Sequence, residues 1–213
     1  MPNTTAELGA HDVDRVVEHA DCVVFDFYLT LCSEFFFGPL GESVLSQIQR
    51  LLWGRDQSLL DQWMMGCVSA SQIALYLSQH LDISAKEIEA GLREGCRGFV
   101  LHEAIWAFAQ AVRKAGKRIA LVTVNTDVFS EEVVPSLSLD QVFEVIVNSA
   151  DHGELDKSRL WPIAFEALGG GISYPHSFLL EDGAHSPAKF TAAGGKAYQY
   201  TDDASFMTWL STR

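Results

Sequence analysis

Basic residues are scarce: 15 Lys and Arg stand against 28 Asp and Glu, a formal net charge of -13 over 213 residues. A field of that sign repels polyphosphate backbones and anionic membrane surfaces within a Debye length of about 8 Å. Neither nucleic acid nor a membrane is therefore an expected partner. Long apolar runs are missing as well. No stretch of about 18 uninterrupted apolar residues occurs, and the opening "MPNTTAELGAHDVDRVVEHAD" has no basic segment leading into an apolar one. A cytoplasmic protein is expected. Cysteine is limited to Cys22, Cys32, Cys67 and Cys96, with no CxxC pair and no dense framework, which points to core thiols and away from disulfides or zinc. Internal repeats, low-complexity segments and Pro-rich linkers are absent.

What remains is a chain with 48% hydrophobic residues, enough to bury a sizeable core in one medium domain or in a core with an insertion. Apolar runs ending in polar residues predict strands at "CVVFDFY" (22–28), "RIALVTV" (118–124), "VFEVIVNSA" (142–150), "HSFLLED" (176–182) and "KAYQY". "HEAIWAFAQAVRKAG", "SRLWPIAFEALG", "KFTAAGG" and "ASFMTWL" predict the intervening helices, the first closed by Gly116. Strand and helix in alternation predict an α/β fold, a Rossmann-like parallel sheet flanked by helices. Residues 33–100 differ: four amphipathic helical patterns follow one another with no strand. Two of them open with capping boxes, Ser69 to Gln72 and Ser84 to Glu87. The expected organisation is an α/β core of residues 1–32 and 101–213 with an all-helical cap domain at 33–100.

Ligands of an open parallel sheet bind beyond the carboxyl ends of its strands, near the point where strand order reverses. The polar residues at those ends are Asp26, Tyr28 and Thr30 from the first strand, Thr123 and Asn125 from the second, and Glu181 with Asp182 from the fourth. Lys157 opens the helix after "SADHGELD".

In order and spacing this set resembles the haloacid dehalogenase (HAD) superfamily over nearly the whole chain. "VVFDFYLTL", "IALVTVN", Lys157 and "FLLEDG" are similar to its four motifs, and the helical block falls where many members carry a cap. The resemblance implies a hydrolase with Asp26 as nucleophile, forming an aspartyl ester that water then hydrolyses. It implies that Thr123 holds a non-reacting oxygen, that Lys157 offsets the charge of nucleophile and substrate, and that Thr30 and Asn125 line the substrate. It also implies Mg²⁺ held by Asp26, the Tyr28 carbonyl, Glu181 and Asp182.

Tyr28 divides the functional readings. Phosphatases of this superfamily usually carry a second aspartate there as acid and base, and a phenol with a reference pKa of about 10 is a poor proton shuttle near neutrality. The leading expectation is a Mg²⁺-dependent phosphatase acting on a small organic phosphate, slow for lack of that aspartate. A metal-independent 2-haloacid dehalogenase is the alternative, since its motif reads D-x-Y-G-T and a halide leaves unprotonated; Arg55, with Arg50 nearby, would then be the cap arginine. A catalytically degenerate binding or regulatory protein is the third reading, motivated by Tyr28, by Leu29 in the glycine place, and by Ser186 and Pro187 where another acidic residue is usual. His185 is a replacement acid/base candidate, Cys32 a thiol near the flap, and "EFFFG" (34–38) the expected packing between core and cap. Exposed aromatics on the helical block would suit a homodimer.

Overall fold

The structure, a computed structural model, describes Val13 and residues 17–212. Most of the start of the expected core segment, 1–32, lies outside the described residues.

Five strands form one wholly parallel sheet: Cys22–Phe25 (β1), Arg118–Thr123 (β2), Val145–Asn148 (β3), Ser177–Glu181 (β4) and Lys196–Gln199 (β5), in the order β3-β2-β1-β4-β5. Side chains alternate across the sheet and both faces are buried, which is why these strands read as continuous apolar runs. Val23, Phe25, Ile119, Leu121, Phe178 and Leu180 face one apolar cluster, whereas Cys22, Val24, Ala120, Val122 and Leu179 face the other. Glu103–Lys114 (α5) and Asp203–Ser211 (α8) pack on the first face. Lys157–Leu168 (α6) and His185–Ala192 (α7) pack on the second. Pro162 lies inside α6 and removes one backbone donor; the Tyr174 hydroxyl approaches the Ser158 carbonyl that loses it, at 3.5 Å.

All five strands are shorter than their apolar runs, two of them markedly. β1 stops at Phe25, because the Phe27 carbonyl gathers the amides of Thr30, Leu31 and Cys32 and turns the chain sharply. β3 stops at Asn148, and Ser149–His152 coils into a helical turn.

The segment between β1 and β2 is helical as expected: Glu42–Gln49 (α1), a wide π-type turn at Arg50–Arg55, Gln57–Met64 (α2), Ala70–Ser78 (α3) and Ala85–Arg97 (α4). Both capping boxes form, at Ser69 with Gln72 and at Ser84 with Glu87. The block shares the first sheet face's apolar cluster, to which Trp63, Ile73, Leu77, Ile88 and Leu92 contribute alongside Phe27 and Phe129. The "EFFFG" stretch packs at this junction: Phe36 meets Trp63 and Phe99, and Phe37 is fully buried against Trp63. Cys22, Cys32 and Cys96 are core thiols as expected, but Cys67 is exposed, because it lies in the turn after α2. No helix among the described residues is long and apolar enough to cross a membrane.

Gly95 of α4 lies so close to the Phe36 carbonyl that a methyl group there would collide with backbone. Gly95→Ala is expected to cost about 1–3 kcal/mol by overpacking, while Gly54→Ala, in open space, should be neutral within about 0.5 kcal/mol or stabilising. Urea denaturation of both variants checks the difference.

Candidate active site

Strand order reverses at β1, since β2 and β3 lie to one side and β4 and β5 to the other. The register pairs Phe25 with Leu180, and the Asp26 amide donates to the Leu180 carbonyl at 2.9 Å. Asp26 and Glu181 therefore emerge side by side at the carboxyl edge, both buried. Lys157 reaches them from the first turn of α6. Its ammonium lies 2.7 Å from Asp26 Oδ1 and donates to both Glu181 oxygens, at 2.9 and 2.7 Å.

Asp156 fixes the start of α6. Its carboxylate caps the helix by accepting from the Ser158 amide at 3.0 Å, and Lys189 of α7 approaches the same carboxylate at 3.0 and 3.1 Å. The bonds from Ser158, with Lys189 beside it, hold the Asp156 carboxyl down to about 2.

Three carboxylates, Asp26, Glu181 and Asp182, offer oxygens within 4.8 Å of one another. Burial and then the Asp26 charge push Glu181 up, to about 8, against the pull of Lys157. The same two causes raise Asp182. Burial opposes the Lys157 charge, yet Asp26 and Glu181 outweigh it and keep the ammonium above the ordinary lysine value. One ammonium among three crowded carboxylates leaves an excess of negative charge, which a proton or a further cation would relieve.

Thr123 closes β2 in a buried position, and neither its hydroxyl nor that of buried Thr30 finds a hydrogen-bond partner among the described residues. Asn125 is buried too, but its side-chain oxygen accepts from the Thr126 amide at 2.9 Å and so shapes its own loop. Tyr28 and Leu29 lie exposed at the mouth, Leu29 in the left-handed region with φ 62°. Arg55 is exposed at the end of the π-type turn, paired with Asp56 at 3.5 Å. His185 is the exposed first residue of α7. The Cys32 thiol is fully buried and pushed up to about 11, chiefly by burial, which makes it unreactive.

No protein-family model matches this sequence, and no curated protein matches it. Solved structures do match its shape. A HAD family enzyme from Bacteroides thetaiotaomicron, in complex with magnesium and inorganic phosphate, superposes with a TM-score of 0.64 at 13% identity, covering 84% of this chain and 93% of that one. A predicted HAD-like family hydrolase from Porphyromonas gingivalis gives 0.66 at 14% identity over 92% and 99% of the two chains. An L-2-haloacid dehalogenase from Xanthobacter autotrophicus gives 0.54 at 13% over 84% and 77%. The fold is that of the HAD-like hydrolases.

Three residues that order and spacing did not single out hold the mouth in shape. Asp127 accepts from Trp63 Nε1 at 2.6 Å and from the Ala70 amide at 2.9 Å, fastening the loop after β2 to the helical block. Ser149 donates to the Met64 carbonyl at 2.6 Å and accepts from the Asn125 amide at 2.8 Å. His102 joins the two chain crossings between core and block, its ring nitrogens contacting the Thr30 carbonyl at 2.9 Å and Ser33 Oγ at 3.1 Å. The available signal was their position just after a strand or just before a helix.

Because Asp156 caps the helix that carries Lys157, Asp156→Ala is expected to lose about 1 kcal/mol at neutral pH. A depressed carboxyl contributes stability that is complete above its unfolded value of about 3.9 and disappears as pH falls toward about 2. Wild type and variant should therefore converge in acid. Urea titrations from pH 7 downward test this, and equal stability at pH 7 would refute the cap's role.

Proposed function

We propose that this chain is a hydrolase with Asp26 as its nucleophile, a Mg²⁺-dependent phosphatase acting on a small organic phosphate, with the helical block of residues 33–100 as its cap. The observation that carries the reading is the buried Lys157 bridge between Asp26 and Glu181, with the Asp182 carboxylate alongside. A structural ion pair needs one partner for the lysine; two buried acids and a third beside them suit a site that handles charge. The magnesium and inorganic phosphate held by the Bacteroides enzyme of the same fold add support.

The donor set fits a hard divalent cation. Glu181 commits both oxygens to Lys157, so we assign it to anchoring the lysine and assign Asp26, Asp182 and the Tyr28 carbonyl to the ion. When bound, Mg²⁺ would act as a Lewis acid toward the phosphate oxygens. Asp26 attacks phosphorus, and its carboxylate becomes an aspartyl phosphate while the ester oxygen departs. Lys157 balances the charge gathered around the nucleophile, and the unpartnered Thr123 hydroxyl is available to a non-reacting oxygen.

With a panel of small phosphate esters, hydrolysis is expected to stop on adding EDTA and return with Mg²⁺. Asp26→Asn should reduce the rate by about 10³-fold or more. Activity that survives this substitution would show that another group is the nucleophile.

A second reading, the 2-haloacid dehalogenase, is favoured by Tyr28 itself and by the direct Lys157–Asp26 contact, which balances the nucleophile with no metal ion. On that reading halide is released from 2-chloropropionate in EDTA, and Lys157→Ala abolishes the release. No halide under these conditions excludes it, and inertness in both assays favours a binding protein.

A further inference from the structure

Ser33 and His102 meet at the two chain crossings, in the wall of a cavity of about 590 Å³ at the sheet edge. The imidazole of His102 is fixed from one side. Its Nδ1 lies 2.9 Å from the Thr30 carbonyl, and the His102 amide donates to the Leu31 carbonyl at 2.8 Å. A carbonyl oxygen only accepts, so in the neutral ring Nδ1 carries the proton and Nε2 keeps its lone pair. That lone pair meets the Ser33 hydroxyl, whose oxygen is 3.1 Å away. The Tyr200 hydroxyl approaches Nδ1 at 3.2 Å and donates to Asp203 at 2.9 Å, with the two rings nearly parallel and their centroids 5.7 Å apart. Asp203 is held in turn by the Ala104 amide, 3.1 Å from its second oxygen.

A clasp between the crossings accounts for the Thr30 contact. It does not require a basic nitrogen facing an exposed hydroxyl on a cavity wall. A hydroxyl within hydrogen-bond reach of a histidine, itself oriented by a third group, is the arrangement that activates serine as a nucleophile. Here the Thr30 carbonyl and the Tyr200 hydroxyl orient the ring. The Ser33 amide donates to no acceptor among the described residues, which leaves it free for the oxygen of a reacting carbonyl. The same wall holds Asp182, Asp202 and Asp203 with no lysine or arginine, and their charge disfavours an anionic ligand. Leu29, exposed in that wall, offers an apolar contact.

We propose a second active site, separate from the one at Asp26, in which Ser33 is the nucleophile and His102 the base, acting on carboxylic esters that carry no negative charge. Ser33 Oγ forms a bond to the acyl carbon as its proton passes to His102 Nε2. The bond from that carbon to the alcohol oxygen then breaks, and the departing oxygen takes the proton from His102. Water attacks the acyl ester on Ser33 and gives one proton to His102; the bond to Ser33 breaks, and Ser33 Oγ recovers that proton. The products are the carboxylic acid and the alcohol, and only water is consumed.

The test uses the full chain in EDTA, which silences a Mg²⁺-dependent phosphatase. An uncharged fluorophosphonate is expected to label Ser33 in the wild type, the adduct being located by peptide mass spectrometry. Phenyl acetate should be turned over, and para-acetoxybenzoate, the same shape with one negative charge, should react at least about tenfold more slowly. Ser33→Ala, at an exposed position, should abolish the labelling and lower phenyl acetate turnover by about 10²-fold or more; His102→Gln should lower turnover by a similar factor. Mapping the adduct on the wild type makes the answer independent of any folding defect in His102→Gln. Labelling that is absent or falls on other residues, turnover undiminished in Ser33→Ala, or para-acetoxybenzoate hydrolysed as fast as phenyl acetate overturns the inference. Either result leaves the phosphatase reading to its own assay.

Discussion

Lys157 carries its charge in a place where water contributes little, and the edge of the sheet is organised around that fact. An isolated ammonium there would cost several kcal/mol in lost hydration even after relaxation. Only close oxygens in good geometry offset such a cost, and Lys157 has three within 2.9 Å. They come from Asp26 just after β1 and from Glu181 at the end of β4, while the lysine comes from α6, so strand register, helix position and side-chain reach must agree. Asp156 and Lys189 extend the agreement to α7. The ion pairs thereby fix Asp26 while leaving negative charge in excess, which a proton or a further cation would relieve.

The helical block is joined to this edge by more than its two chain crossings. Asp127 binds Trp63 and Ala70, Arg93 pairs with Glu131 and Glu132, Arg97 pairs with Glu132, and Gly66 lies against the Ala150 carbonyl. Partly exposed ion pairs of this kind contribute little singly; the continuous apolar cluster beneath them carries the association. Phe35 is held between Tyr28 and Trp53 as a consequence.

Tyr28 and Leu29 break local rules. Tyr28 leaves much of its ring exposed, and Leu29 adopts a backbone conformation suited to glycine. Departures from local consistency concentrate at functional positions, where the surrounding structure holds them in place. Here the hydrogen bonds to the Phe27 carbonyl and the Leu29 amide's bond to Cys32 provide that hold.

Much of the fold was legible because its signals are local. The apolar runs of β1, β2 and β4 are buried on both faces, the capping boxes at Ser69 and Ser84 bind only their own first turns, and the α/β alternation follows from both. Strand ends were less legible: nothing local shows that the Phe27 carbonyl would gather three amides and stop β1. At the site, Asp26, Thr123, Glu181 and Asp182 could be named from their positions at strand ends and Lys157 from its place at a helix start, yet nothing local shows that both Glu181 oxygens meet Lys157. Asp127, Ser149 and His102 escaped because their partners lie 24 to 85 residues away. The sequence by itself determined the element types, the acidic character and the chemical inventory of the sheet edge, since these depend on composition and near-neighbour spacing. Only the tertiary structure decided that Lys157 bridges Asp26 and Glu181 and that Tyr28, Phe35 and Trp53 pack in one row, because those outcomes depend on distances between segments remote in the chain.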